Sequence, residues 1–305
     1  MKKPHSLPAD TLPSQIVEAN VFASLSEDLG GSMALHSDSE SFSAADDITA
    51  QLIPESQISE AYVITREAAV FCGQPYVEEV FRQLTQDRDD KVAIEWLVKD
   101  GDKVKPGQTL FRLKGNARIL LTGERPALNF VQMLSGTSTA VNQYIEKLDG
   151  YTHTLALLDT RKTIPGLRSA QKYAIHCGGG DNHRAGLHDA YLIKENHINA
   201  CGSIGNAISQ ARALNPGKPV EVEVETMEEL AQAVLAGTDL IMLDNFDLEG
   251  MKQAVAFTDK RCLLEASGNV NLNTVRSIAE TGVDRISVGA ITKHVRAIDL
   301  SMRFV

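Results

Sequence analysis

Residues 220–244 read VEVEVETMEELAQAVLAGTDLIMLD. Valine and glutamate alternate over 220–225, the period-two pattern of a strand. Helical spacing follows over 227–236, and the apolar run LIMLD ends on Asp244. The same texture extends in both directions. Strands are expected at 155–159, 190–194, 262–266 and 285–289, with helices at 204–214, 248–257 and 272–280. This alternation predicts a parallel sheet or barrel covered by helices. A polar residue or glycine closes nearly every strand: Asp159, Lys194, Glu225, Asp244, Ser267 and Gly289. The strand C-termini form the active-site face of a β/α barrel, so a ligand site is expected there.

The first half of the chain reads differently. A helix is expected at 16–29, short strands at 47–54 and 61–67, and a helix at 74–84. The stretch VAIEWLVKDGDKVKPGQTLFRLKG from Val92 gives strand, turn and strand, with Gly101 and Gly107 at tight turns. It resembles the hairpin of biotinyl and lipoyl carriers but lacks their modified lysine tip, so it predicts a small accessory domain. Residues 123–148 carry an apolar helical stripe, with Pro126 near the expected helix start and Arg125 just before it, where an anion could also use the helix N-terminus. The Ser-rich segment 32–45 reads as a surface loop and the first fifteen residues as a tail without a secretory signal.

The chain has 305 residues, 43% hydrophobic and 23% charged, with a formal net charge of -10. That balance, with one Trp and 5% aromatics, argues against a nucleic-acid partner. No run of eighteen apolar residues predicts a membrane span. Cys72, Cys177, Cys201 and Cys262 are scattered without a CxxC pair, which argues against a structural zinc site or a disulfide scaffold; a reducing cytoplasm is the default.

Within this acidic chain, residues 159–197 concentrate positive charge: Arg161, Lys162, Arg168, Lys172, Arg184 and Lys194, with His176, His183, His188 and His197. Interleaved glycines and Pro165 make a plain solvated helix face a poor account, and a small, strongly anionic substrate fits better. Arg161 and Lys162 close one strand, His183 and Arg184 sit in a glycine-rich loop as a clamp, and Lys194 closes the next strand. Arg168, Lys172 and His176 fall on an intervening helix. Lys194 could instead be a Schiff-base lysine, but the other cations in the same segment favour an anchor. Glu221, Glu223 and Glu225 share one strand face, which is solvated in an edge strand and needs a cation or ligand in a barrel. Glu223 and Asp244 at neighbouring strand ends suit ribose hydroxyls or hydrated magnesium, not zinc. Ser267-Gly268 and Gly289-Ala290 end the last two strands and suit a phosphate. Lys293 and His294 could face a second phosphate or lie on the surface.

Taken together, ERPALNFVQMLSGTST, LDTRKTIPGLRSAQKYAIHCGGGDNHRAGLHDAYLIKENHI, VEVEVET, IMLDNF and ISVGAITKH resemble the quinolinate phosphoribosyltransferase family from about Glu27 to the C-terminus. The resemblance implies a type II phosphoribosyltransferase fold: an α/β sandwich over 16–134, joined by the tail 295–305, and an incomplete, TIM-like α/β barrel over 135–294. It implies transfer from phosphoribosyl pyrophosphate to quinolinate with decarboxylation, assisted by Mg2+, in a homodimer with shared sites. It implies that Arg125 reaches the neighbour's quinolinate and that Arg161, His183, Arg184 and Lys194 hold its carboxylates. Lys162 would lie at the reacting centre, Glu223 and Asp244 at the ribose and magnesium-bound water, and Ser267, Gly268, Gly289 and Ala290 at the 5′-phosphate. Lys293 would face pyrophosphate. The rival expectations are a related phosphoribosyltransferase that takes nicotinate or another acid without decarboxylation, and a non-enzymatic carrier.

Overall fold

A computed structural model describes residues 12–30, 42–86, 88–89 and 91–305. The expected tail and most of the Ser-rich loop lie outside the described residues. In chain order the first elements are α1 (Ser14–Leu29), β1 (Ile58–Thr65), β2 (Ala69–Val70), α2 (Gln74–Leu84), β3 (Ala93–Trp96), β4 (Lys103–Val104), β5 (Thr109–Asn116) and α3 (Ala117–Lys147). Then follow β6 (Ala156–Leu158), α4 (Arg168–Cys177), β7 (Tyr191–Ile193), α5 (Glu195–Cys201), α6 (Ile204–Leu214), β8 (Val220–Val224), α7 (Met227–Leu235) and β9 (Leu240–Asp244). The chain ends with α8 (Leu248–Thr258), β10 (Leu263–Ser267), α9 (Val275–Ala279), β11 (Arg285–Ser287), α10 (Ala290–Lys293) and β12 (Leu300–Phe304).

Two compact units form. The first takes residues 12–140, 164–179 and 295–305. Its antiparallel sheet has the order β12-β1-β5-β3, so the C-terminal strand completes a sheet begun near the N-terminus. Helices α1, α2 and α3 cover the sheet through a common core that includes Val21, Leu25, Tyr76, Phe111, Leu120 and Val131. Removing that apolar surface from water is the main stabilising term.

Three expectations need correction in this unit. Residues 47–54 do not form a strand. Asp47 Oδ1 accepts the Thr49 and Ala50 N–H groups, both at 3.0 Å, and a 3-10 turn at Ala50–Leu52 follows. Helix α3 begins at Ala117, where Asn116 Oδ1 accepts the Arg118 N–H at 3.0 Å; Pro126 lies inside it and Arg125 is not at its N-terminus. Residues 164–179 were expected in the barrel domain but join the sandwich unit. The reason is packing: Ala170 and Ala174 enter its core, Ser138 Oγ donates to the Ala174 carbonyl, and the Tyr173 hydroxyl donates to Asp100 Oδ2 at 2.7 Å. Asp100 Oδ1 also accepts the Gly73 and Gln74 N–H groups at the start of α2. Although scattered in sequence, Cys72 and Cys177 flank Asp100, their ligand atoms all within 4.8 Å of one another.

The second unit holds residues 141–163 and 180–294. Its six strands are all parallel, in the order β6-β11-β10-β9-β8-β7. The sheet is left open between β6 and β7, where a single parallel bridge joins Leu158 to Asp181. This is the incomplete barrel. β8 is an interior strand, and that decides the fate of its glutamates: Glu221 is buried and Glu223 is half-buried rather than solvated.

Candidate active site

The C-terminal ends of the parallel strands gather the charged residues of the barrel unit. After β6 the chain turns outward at Arg161, whose buried Nε has no hydrogen-bond partner among the described residues. After the Leu158–Asp181 bridge, the loop carrying Arg184 returns to the same place. Asp189 shapes this loop by accepting the Ala185 and Gly186 N–H groups at 2.6 and 3.2 Å. Arg184 Nη1 donates to the Ala190 carbonyl at 3.1 Å. Burial, and then the positive charge of Arg161, pull the Arg184 pKa down. Two guanidinium groups near enough to repel each other, one with an unpartnered buried nitrogen, make a ready anion site.

The same strand ends carry carboxylates. Lys194, at the end of β7, contacts Glu223 Oε2 through Nζ. Asp244 ends β9, and burial followed by the charge of Glu223 raises its pKa, while Lys194 and Lys162 pull the other way. Lys162 is exposed and tethered by its backbone, whose carbonyl accepts the Thr292 hydroxyl at 2.8 Å. The structure thus forms two groups at the strand ends, Arg161 with Arg184, and Lys162 and Lys194 with Glu223 and Asp244.

The late strands supply close backbone approaches. Gly268 has a φ of +94°, and a Cβ there would lie 2.2 Å from Asn245 Oδ1. A Cβ on Gly289 would meet Lys162 Cδ at 3.1 Å. Ser267 pairs in register with Asp244, and Gly289-Ala290 opens the short turn α10. Lys293 lies exposed at the far end of that turn. Replacing Gly268 with alanine is expected to cost about 1–3 kcal/mol, because the left-handed backbone and the Asn245 side chain both oppose a methyl group. Chemical denaturation checks this, and an unchanged midpoint with an unchanged slope would contradict it.

His183 occupies an unexpected place. It is buried, with Nε2 3.1 Å from Glu221 Oε2 and 3.4 Å from Glu265 Oε1. Arg285 Nε stands 3.4 Å from Glu265 Oε2. Burial opposes charge on the imidazole, while the Glu265 and Glu221 carboxylates favour it. Yet Nδ1 accepts the Arg184 N–H at 2.8 Å, so in this geometry the ring proton sits on Nε2. A second ring proton would break that contact. The further proton that two adjacent buried carboxylates favour is better placed on Glu221, whose pKa burial and Glu265 raise. Sequence reading missed Glu221, Glu265, Arg285 and Asp159 as parts of one cluster. The available signal was a charged residue at an inward position of an apolar strand, as in LLEAS.

Arg125 lies in the sandwich unit, with an Nη2–Glu124 Oε1 distance of 3.1 Å and a side chain 66% exposed.

A parallel α/β barrel with a guanidinium pair, two lysines and two carboxylates at its strand ends, in one chain with a helix-covered antiparallel sheet, is the plan of a type II phosphoribosyltransferase. The structure of the nicotinate-nucleotide pyrophosphorylase from Francisella tularensis is similar with a TM-score of 0.88 and 46% identity, covering 99% of this chain and 100% of that one. NadC from Streptococcus pyogenes gives a TM-score of 0.86 at 36% identity, covering 97% and 98%. Residues 47–135 match the model for the quinolinate phosphoribosyl transferase N-terminal domain, and residues 137–303 the one for its C-terminal domain. The chain belongs to the quinolinate phosphoribosyltransferase family, and it is a pentosyltransferase enzyme. The probable nicotinate-nucleotide pyrophosphorylase (carboxylating) of Bacillus subtilis is 40% identical over 257 residues, 84% of this chain and 87% of that protein.

Proposed function

We propose that this enzyme transfers the phosphoribosyl group of phosphoribosyl pyrophosphate to the ring nitrogen of quinolinate, yielding nicotinate mononucleotide, pyrophosphate and CO2 for NAD biosynthesis. The observation that carries the reading is the Arg161–Arg184 pair, two forks held together against their own repulsion. A pyridine dicarboxylate supplies the missing negative charge, and each fork suits a carboxylate. Arg161, Arg184 and Lys194 hold the diacid, while His183 supports them from below.

The bond from the ribose carbon to pyrophosphate breaks as the ring nitrogen approaches. Positive charge builds on the ribose, and Glu223 and Asp244 are the nearby carboxylates that can stabilise it. Lys162 faces the phosphoribosyl group from beside Gly289. Ser267, Gly268, Gly289 and Ala290 cradle the 5′-phosphate, and Lys293 faces pyrophosphate. The donor set also fits Mg2+, since Glu223 and Asp244 are hard oxygen ligands. Glu223 is already engaged by Lys194, so the ion would be held mainly through substrate oxygens and water. Bound there, Mg2+ would neutralise charge on the leaving pyrophosphate. Once the ring nitrogen is cationic, the bond to the adjacent carboxylate breaks, its electron pair stays on the ring carbon, and that carbon takes a proton.

The same reading includes a cytoplasmic homodimer in which Arg125 reaches the neighbour's quinolinate. Its side chain is exposed, and the four cysteines are free. Among the described residues no helix is long and apolar enough to cross a membrane. A monomer in sedimentation would remove the shared-site part.

The test is incubation with quinolinate, phosphoribosyl pyrophosphate and Mg2+, following nicotinate mononucleotide and CO2. Product in stoichiometric amounts is expected. Turnover with nicotinate and none with quinolinate would favour the non-decarboxylating rival.

A further inference from the structure

His183, Glu221, Glu265 and Arg285 are 7%, 4%, 0% and 7% exposed. They sit inside the barrel unit, below the strand ends. Glu221 precedes Glu223 by two residues on the same face of β8, and Glu265 precedes Ser267 by two on β10. Ligand atoms of His183, Glu221 and Glu265 lie within 4.8 Å of one another. A metal is not needed to explain them, because Arg285 already brings positive charge to Glu265. Burying four ionisable groups is costly unless they are mutually compensated, and the established chemistry of a strand-end site does not touch them.

What leads out of the cluster is His183. Its backbone N–H donates to Asp159 Oδ1 at 2.8 Å. Its Nδ1 accepts the Arg184 N–H at 2.8 Å. Asp159 is wholly buried and stands two residues before Arg161. The chain segments that present both arginines are therefore tied to one residue, the Asp159 segment through the His183 backbone and the Arg184 amide through its imidazole. Such a tie is physically required: two guanidinium groups at close range move apart unless their backbones are held.

We propose that Glu221, Glu265 and Arg285 are positioning residues for the diacid, holding His183 as the Nε2–H tautomer so that its Nδ1 lone pair anchors the Arg184 amide beside Arg161. The inference rests on the reading of Arg161 and Arg184 as the carboxylate clamp. Glu221 and Glu265 face Nε2, which fixes the proton on that nitrogen and leaves the other free to accept. Arg285 keeps Glu265 ionised and in place. His183 then acts on the substrate through Arg184, since its Nδ1 holds that amide and its Nε2 faces the two carboxylates. The preorganised clamp binds without first overcoming its own repulsion.

The test compares Glu221→Met, Glu221→Gln and Arg184→Ala with the wild-type enzyme. Nitrogen NMR of histidine-labelled protein reads the His183 tautomer, and steady-state kinetics separate KM for quinolinate from kcat. The wild type is expected to show an unprotonated Nδ1. Glu221→Met, which removes the nearer acceptor, should perturb that signal and raise KM for quinolinate ~10-fold, the scale of one hydrogen bond to a charged group, with kcat within about twofold. Glu221→Gln keeps an acceptor oxygen and should restore both readouts. Should Glu221→Met fail to fold, Glu265→Met carries the same measurements, with the same change expected. A protonated Nδ1 in the wild type overturns the proposal. So does an unchanged KM in the Glu221→Met or Glu265→Met variant while Arg184→Ala raises it. If Arg184→Ala itself leaves KM unchanged, the clamp reading has failed instead, and the proposal falls with it.

Discussion

Arg161→Ala and Arg184→Ala are each expected to raise KM for quinolinate roughly 100-fold, about 3 kcal/mol, while kcat falls by no more than a few-fold. Truncating either fork leaves one substrate carboxylate desolvated and unpaired, and most of the cost comes from that orphaned charge rather than from the lost contact. The Arg161 Nε is buried without a partner among the described residues, so it has little to lose elsewhere when the side chain is cut. The two effects should not add. Burial and then the Arg161 charge lower the Arg184 pKa, so removing Arg161 relieves part of the repulsion on Arg184. Lysine should be a poor substitute for either arginine, because a point charge cannot match a carboxylate with two parallel hydrogen bonds. Steady-state kinetics with quinolinate varied at saturating phosphoribosyl pyrophosphate decide the matter. A KM within threefold of the wild type in both alanine variants would remove these residues from the substrate site.

The second large effect belongs to Glu223. Glu223→Ala should lower kcat by roughly 100- to 1,000-fold, the scale of losing one preorganised electrostatic contact to a developing charge. KM for quinolinate should move much less. The direction follows from when the contact matters: positive charge on the ribose is largest in the transition state, so the loss falls on turnover. Glu223 also holds Lys194, and its removal frees a lysine that lies 46% exposed. Glu223→Gln therefore serves as the control, since it keeps shape and hydrogen bonding but not charge. If both variants turn over at the wild-type rate, Asp244 alone carries the stabilisation or the carboxylates have another role.

Much of the barrel was legible before any coordinates. A parallel strand buried on both faces reads as an apolar run, and LIMLD at 240–244 and VEVEV at 220–224 fall where the strands lie. Polar residues at strand ends marked the site face because the strand C-termini form the active-site face of such a barrel. The sandwich was harder. At 47–54 a side-chain cap from Asp47 overrode apolar spacing and produced a 3-10 turn. At 117–126 a helix ran through Pro126, whose missing N–H suggested a start. These are local competitions between nearly equal energies, and residue patterns do not rank them.

The sequence by itself determined the repeating strand and helix units, the residues at the strand ends and the family to which they belong. Tertiary structure decided which of those residues meet. Parallel register sets β8 beside β9 and β9 beside β10, and this gathers Glu221 and Glu265 from forty-odd residues apart around one imidazole. It assigned α4 to the sandwich core and left His183 buried beneath the arginine it supports. The physical reason is that side-chain meetings across a barrel depend on strand order and register. Both are fixed by packing of the whole unit, while linear spacing records only what each strand contributes.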